Sequence, residues 1–170
     1  MDSRTYTYEG TSPEIHDDAA VAADATLVGS VSVGPDVTVW PGAVLRGDVA
    51  PVDLGAGSAI GDNAVLHGTT VEAGGMVGHA AVLNDAAVGE ETVVGFNASV
   101  SESRIGERSI VAMGTVIPPG CEVPPDSFVR GTPAQFSPLA ETDIDREAVY
   151  ERFASGDYAH LTEGHEDLFA

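Results

Sequence analysis

Aliphatic residues recur along this chain at a fixed interval of 17 positions. Leu54, Val71, Val88 and Ile105 form one series. Ile60, Val77, Val94 and Val111 form a second, and Leu66, Leu83, Val100 and Ile117 a third. Within each unit the three positions follow one another at steps of six, six and five. A helix repeats its buried face about every 3.6 residues and a strand every second residue. Neither period matches. The pattern predicts triangular coils, each with three short strands and one inward aliphatic side chain per side. Such coils stack as a parallel β-helix at about 4.8 Å, the spacing between neighbouring strands.

The units have internal detail. Ile60-Gly61-Asp62-Asn63-Ala64-Val65 and Val77-Gly78-His79-Ala80-Ala81-Val82 read as an aliphatic residue, a glycine, two corner residues and a small residue. Val94 to Ser99 and Ile105 to Ile110 follow the same order. Gly and Asn or Asp suit tight corners because they accept positive φ at low cost. Ala64, Ala81, Ala98 and Thr115 are the small residues, leaving room inside a narrow triangle. Leu27, Val33, Val39 and Leu45 keep the six-residue step, and the nine-residue step to Leu54 marks an insertion. Ile117, Val123 and Val129 carry the pattern through proline-rich corners.

The expected organisation is an N-terminal segment over 1–19, a β-helix domain over 20–134, and a C-terminal helix with an acidic tail over 135–170. The first segment carries Tyr6 and Tyr8 and suits a leading strand. Ile144 to Ala154 predicts an amphipathic helix with Ile144, Ala148, Val149 and Phe153 on one face. Thr142 or Asp143 is its candidate cap, and a short helix is expected near Leu161. The N-terminal segment and this helix are candidates for covering the open coil ends, which solenoids must protect, and such helices often pack instead along the side of the coil at a subunit boundary.

Charge narrows the partners. The formal charge is -20, from 27 acidic and seven basic residues. The basic residues are all Arg. Nucleic acid is a poor partner, since phosphate binding needs positive charge to release counterions, and anionic membranes are disfavoured on the same ground; neither is expected. A lysine-free acidic surface suits a halophilic setting, where salt screens self-repulsion. The sole Cys121 excludes an intramolecular disulfide. No membrane-length apolar run or signal-peptide pattern is present, so a cytoplasmic location is expected.

The repeat also arranges candidate chemistry. His67, Asn84 and Ser101 are 17 apart, each one residue after an inward aliphatic, and should stack on one outward face. Asp62, His79, Phe96 and Met113 should stack near a different corner. His67 and His79 therefore lie on different edges of the triangle. In a threefold assembly one edge of a chain meets the other edge of its neighbour, so His67 of one chain faces His79 of the next. His16, His160 and His165 lie outside the repeat and are expected to be exposed.

Val39-Trp40-Pro41-Gly42-Ala43-Val44-Leu45-Arg46-Gly47-Asp48 closely resembles the signature of the γ-class carbonic anhydrase family. So do Ala64-Val65-Leu66-His67 and Val77-Gly78-His79-Ala80-Ala81-Val82-Leu83. Val116 to Gly120 and Gly131 to Ala134 resemble that family and hexapeptide-repeat proteins more widely. The resemblance covers roughly 20–155. It implies an all-β, left-handed parallel β-helix of hexapeptide repeats with a C-terminal α-helix. It further implies a homotrimer with zinc, or another divalent metal such as iron or cobalt, at each subunit interface. His67 and His79 would be ligands from neighbouring chains, and Arg46 and Asp48 would form the ion-pair network ordering the site. The implied reaction is reversible hydration of CO2 to bicarbonate.

The chain departs from that pattern at its centre. Asn84 occupies the place of the family's third His ligand. Gly61 replaces a Gln that orients the attacking group, and Ala59 an Asn. The run from His67 to His79 is shorter, and the acidic proton shuttles of some members have no counterpart. An amide oxygen is a weaker zinc ligand than imidazole, while Asp85 should point away from Asn84 along a strand. An active hydratase and a catalytically impaired structural or binding relative thus remain as readings. A hexapeptide acyltransferase using acyl-CoA is the third. It lacks support from a long protruding loop or a basic cluster for CoA phosphates.

Overall fold

The computed structural model describes residues 4–153 and 166–169. Its strands form three parallel walls around an aliphatic axis. The first wall carries Val65–His67, Val82–Asn84, Ser99–Ser101 and Val116–Ile117. The second carries Thr70–Val71, Ala87–Val88, Arg104–Ile105 and Glu122–Val123. The third runs from Ala20–Val21 through Met76–Val77 to Ser127–Arg130. Leu66, Leu83, Val100 and Ile117 pair in register, as the 17-residue period requires. All four are fully or almost fully buried. So are Ala64, Ala81, Ala98 and Thr115 at the narrow positions.

Corners and glycines solve separate problems. Only the second corner residue is left-handed: Asn63, Ala80 and Asn97 each have φ 56°, and Gly114 has φ 67°. The preceding glycines have no positive φ. They are required because the next coil lies against them. A Cβ on Gly78 would come 2.8 Å from the Phe96 amide nitrogen, and one on Gly95 would come 2.6 Å from that of Met113. Left-handed corners are not restricted to permissive residues, since Glu91, Glu102 and Arg108 also adopt them.

The solenoid extends beyond its expected limits at both ends. Arg4–Tyr6 pairs with Thr26–Val28, and Glu14–Ile15 with Ser32–Val33, so much of the N-terminal segment is a first coil. As a terminal coil it buries little, and its sequence carries a weak aliphatic signal. Gln135–Pro138 adds an antiparallel strand to Ser127–Arg130, carrying the sheet past 134. The α-helix Arg146–Glu151 starts two residues later than expected, its helical turns continue through Phe153, and Asp145 caps it by accepting from the Ala148 amide at 3.0 Å. Thr142 instead donates to the Leu139 carbonyl and closes a 3-10 turn. Ala148 is exposed, whereas Val149, Tyr150 and Phe153 are half-buried. The helix lies along the third wall, with the Tyr150 hydroxyl donating to Gly74 O at 2.9 Å and Arg146 paired with Glu91. It covers a side, not an end. Near the first coils, Ala23 N donates to Leu168 O and Phe169 meets the buried Trp40 edge-on. Leu161, His160 and His165 lie outside the described residues.

The insertion after Leu45 is a bulge. The strand Val44–Leu54 runs through a corner beside Thr26–Val33, and its register shifts between Gly29 and Val31. Asp48, Val49, Ala50 and Pro51 stand opposite Ser30 alone. The bulge pushes Val49 to 80% exposure and turns Asp48 toward the first wall.

One surface ion pair joins successive coils. Arg108 donates Nε and Nη2 to the two carboxylate oxygens of Asp126, at 3.0 and 2.8 Å. That bidentate bond holds the Asp126 carboxyl below its ordinary value. A carboxylate whose folded value is depressed stabilises above its unfolded value and loses that stabilisation as pH falls through the folded one. Asp126→Asn should therefore lower the melting temperature at pH 7 more than at pH 2.5. Thermal melts of both proteins across that range check it; an equal deficit at both pH values contradicts the pairing.

Candidate functional site

The first wall presents its outward side chains in columns. Arg46, His67, Asn84 and Ser101 occupy one register, and Val44, Val65, Val82, Ser99 and Val116 another. The corner leading into this wall carries Asp62, His79, Phe96 and Met113 at equivalent positions. His79 and His67 therefore border the same wall at opposite edges, with the valine column between them. The structure brings each of these columns together but keeps the two histidines apart within the chain. Among the described residues no group of three His, Cys, Asp or Glu gathers as a metal cage.

His67 is the centre of a polar chain. Its Nδ1 meets Asn84 Oδ1 at 2.9 Å, one rung away. Asn84 Nδ2 donates to Asp85 Oδ2 at 3.1 Å. Strand alternation alone would point Asp85 away from Asn84. It points back because its φ of 49° ends the strand alternation at the corner. On the other side, His67 Nε2 lies 3.1 Å from Asp48 Oδ1. Arg46 donates to the second oxygen of Asp48 and holds that carboxyl below its ordinary value. His67 Nε2 and Asp48 Oδ1 are both buried atoms, and neither makes a properly directed hydrogen bond. Arg46 and Asp48 are thus in one network with His67 within the chain. The reach of Asp48 to the imidazole was not visible in the sequence. Only the nine-residue step hinted at a bulge there.

His79 is fixed differently. Its Nδ1 accepts from the Asp62 amide at 2.9 Å and lies 2.6 Å from the Asp62 carboxylate. The ring stacks on Phe96 at 4.8 Å between centroids. Phe96 in turn meets Phe153 at 5.4 Å. Trp40, Met76 and Phe153 complete an apolar pocket beside His79, over Gly61 and Gly78. A Cβ on Gly61 would come 2.7 Å from the His79 amide nitrogen and 2.9 Å from its Nδ1. A glutamine there cannot coexist with this position of His79. The departure at Gly61 is therefore tied to the packing of the next coil.

No family model matches the chain. A crystal structure of a hexapeptide transferase family protein from Anaplasma phagocytophilum is 30% identical, with a TM-score of 0.87 over 96% of this chain and 99% of that one. This chain belongs to the hexapeptide-repeat left-handed β-helix family. Among the described residues, the hexapeptide-repeat protein is thus an all-β left-handed solenoid with a short C-terminal α-helix. A Bacillus cereus protein assigned as an acetyltransferase is 25% identical, with a TM-score of 0.81 over 95% of this chain and 99% of that one. A carbonic anhydrase of Geobacillus kaustophilus is 40% identical over 62 residues, 36% of this chain and 34% of that one. The carnitine operon protein CaiE of Salmonella newport is 44% identical over 63 residues, 37% of this chain and 32% of that one. The chain spans about a third of the length of these curated relatives.

Proposed function

We propose that this hexapeptide-repeat protein is a γ-carbonic-anhydrase-like homotrimer that binds a divalent cation, zinc or a similar metal, between subunits and hydrates CO2 reversibly. The observation that carries the reading is the facing pair of His67 Nε2 and Asp48 Oδ1, buried and without hydrogen bonds. An imidazole nitrogen and a carboxylate oxygen are donors that zinc and similar ions accept, so the residues present fit such a group. The likeness to a carbonic anhydrase over 62 residues supports the same reading.

The wall geometry supports the assembly. A closed threefold ring uses heterologous contacts, in which one edge of each chain meets a different edge of the next. The first wall offers a partly exposed valine column bordered by His79 on one edge and His67 on the other. His67 would hold the cation from one chain, and His79 would reach it from the next. Asp62 locks the His79 ring, and Asn84 locks that of His67. Arg46 keeps Asp48 ionised and in place. The apolar pocket of Trp40, Met76, Phe96 and Phe153 suits an uncharged substrate such as CO2 and excludes bulk water from one side of His79. When bound, a divalent cation brings the pKa of water down to about 7 and so supplies a nucleophile at neutral pH.

The direct experiment pairs metal analysis with a stopped-flow CO2-hydration assay on protein purified in high salt without chelator. About one divalent ion per subunit, and hydration that stops on chelation and returns with metal, is the expected result. A metal-free, intact trimer without hydratase activity rejects the reading.

A second reading, acyl transfer, is favoured by the likeness to a hexapeptide transferase family protein and to an acetyltransferase assignment. His79 borders the apolar pocket with Asp62 beside it, so an imidazole is available there for proton transfer. Saturable binding of acetyl-CoA by calorimetry would select this reading.

A further inference from the structure

We infer that Asp48 and His67 of one chain are together the primary cation ligands, and that Asn84 is a positioning residue which fixes the His67 tautomer. This rests on the cation-binding reading above and deepens it, because the motif resemblance would place Asn84 in the ligand set and Asp48 in an ion pair.

The hydrogen-bond chain fixes the roles by elimination. The Asp85 carboxylate can only accept, so the Asn84 amide nitrogen must be the atom facing it. That leaves Asn84 Oδ1 facing His67 Nδ1 at 2.9 Å. An amide oxygen can only accept, so Nδ1 carries the proton. In the neutral imidazole Nε2 then holds a lone pair, the form in which His binds metals. This lone pair faces Asp48 Oδ1 at 3.1 Å. Arg46 donates to the other carboxylate oxygen of Asp48 and leaves Oδ1 turned to the imidazole. Two desolvated acceptors pointed at each other repel, and the free energy of that arrangement is unfavourable unless a positive charge lies between them. A proton on Nε2 would make the contact an ion pair lying off the N–H line. A metal ion needs only both lone pairs. Zinc would accept an imidazole nitrogen and a carboxylate oxygen together, and a small outward movement of Asp48 would make room for it. Asp48 can make that movement because it belongs to the bulge, not to the regular ladder.

The arrangement also assigns Asn84 its use. With its oxygen bonded to His67 and its nitrogen to Asp85, the amide is the outer partner that orients the ligating imidazole.

The test is cobalt(II) titration of chelator-stripped protein by calorimetry and visible absorption, on the natural sequence and on Asp48→Asn, Asn84→Ala and His79→Ala. Asp48→Asn should weaken cobalt by at least about 100-fold, and Asn84→Ala by only about tenfold, as for an outer-shell partner. Far-UV circular dichroism of each stripped variant confirms the coil. Ring-nitrogen NMR on the natural sequence gives an independent readout: adding zinc should shift His67 Nε2 while Nδ1 keeps its proton. Unchanged cobalt affinity in Asp48→Asn, or zinc displacing the Nδ1 proton, overturns the assignment. If Asp48→Asn binds normally but His79→Ala does not, this inference fails and the shared-site reading stands. If His79→Ala binds normally and Asp48→Asn does not, the reverse holds. No binding by the natural sequence rejects both.

Discussion

Replacing Gly47 by alanine should lower stability by about 3 kcal/mol or more, or prevent folding outright. Gly47 lies in the Arg46-Gly47-Asp48 segment, where Val44–Leu54 runs beside Thr26–Val33. A Cβ there would stand 1.9 Å from the Ser30 carbonyl oxygen and 2.4 Å from its carbon. Both are backbone atoms at the register shift between Gly29 and Val31, so no rotamer change relieves the contact. The strands must separate, and the bulge begins at the next residue. The same change should therefore also displace Asp48 from His67. Urea unfolding followed by circular dichroism measures the first effect, through the midpoint at an unchanged slope. A variant with the natural midpoint would mean that the bulge does not approach Ser30 as closely as it does here.

Gly47 shows why a sequence motif can look unremarkable until the neighbouring chain is in place. Its role is close approach, and close approach is a property of two segments far apart in sequence. The aliphatic series was legible because each coil repeats the same demand at the same position: Leu66, Leu83 and Val100 face the axis one above another. The rung placing His67 beside Asn84, and the corner column of Asp62, His79 and Phe96, followed from the same period. What did not follow were the departures from period. The bulge of Asp48 to Pro51 has no counterpart in other coils, so nothing in the repeat could aim Asp48 at His67. Asp85 leaves the strand at a left-handed corner, and alternation misplaces it. The first coil is poor in aliphatics because an end coil has nothing stacked beyond it, so the 17-residue signal fades where the fold still continues. Neither Thr142 nor Asp143 caps the helix: the Thr142 hydroxyl closes a 3-10 turn, and Asp145 accepts from the first-turn amide.

His79→Ala and His67→Ala should each reduce cation binding and CO2 hydration to background, and mixing the two inactive variants should restore about a quarter of both. The argument uses the ring. In a closed heterologous trimer each site takes His67 from one chain and His79 from its neighbour. A chain carrying His79→Ala still has an intact His67, and a chain carrying His67→Ala still has an intact His79. After unfolding and refolding of an equal mixture, chance places the two intact edges together at about one interface in four. A site built within one chain gains nothing from mixing, since every chain lacks one histidine. His79 is also packed, with its ring stacked on Phe96, so His79→Ala opens a gap as well as removing a donor. His79→Gln, which retains bulk against Phe96, separates these effects: it should keep the melting temperature of the stripped protein close to natural while still losing the cation. Recovery near a quarter, read by hydration rate and metal content together, identifies a site shared between chains. Zero recovery from variants that each refold to the natural assembly places the site within one chain and rejects His79 as the neighbour's ligand.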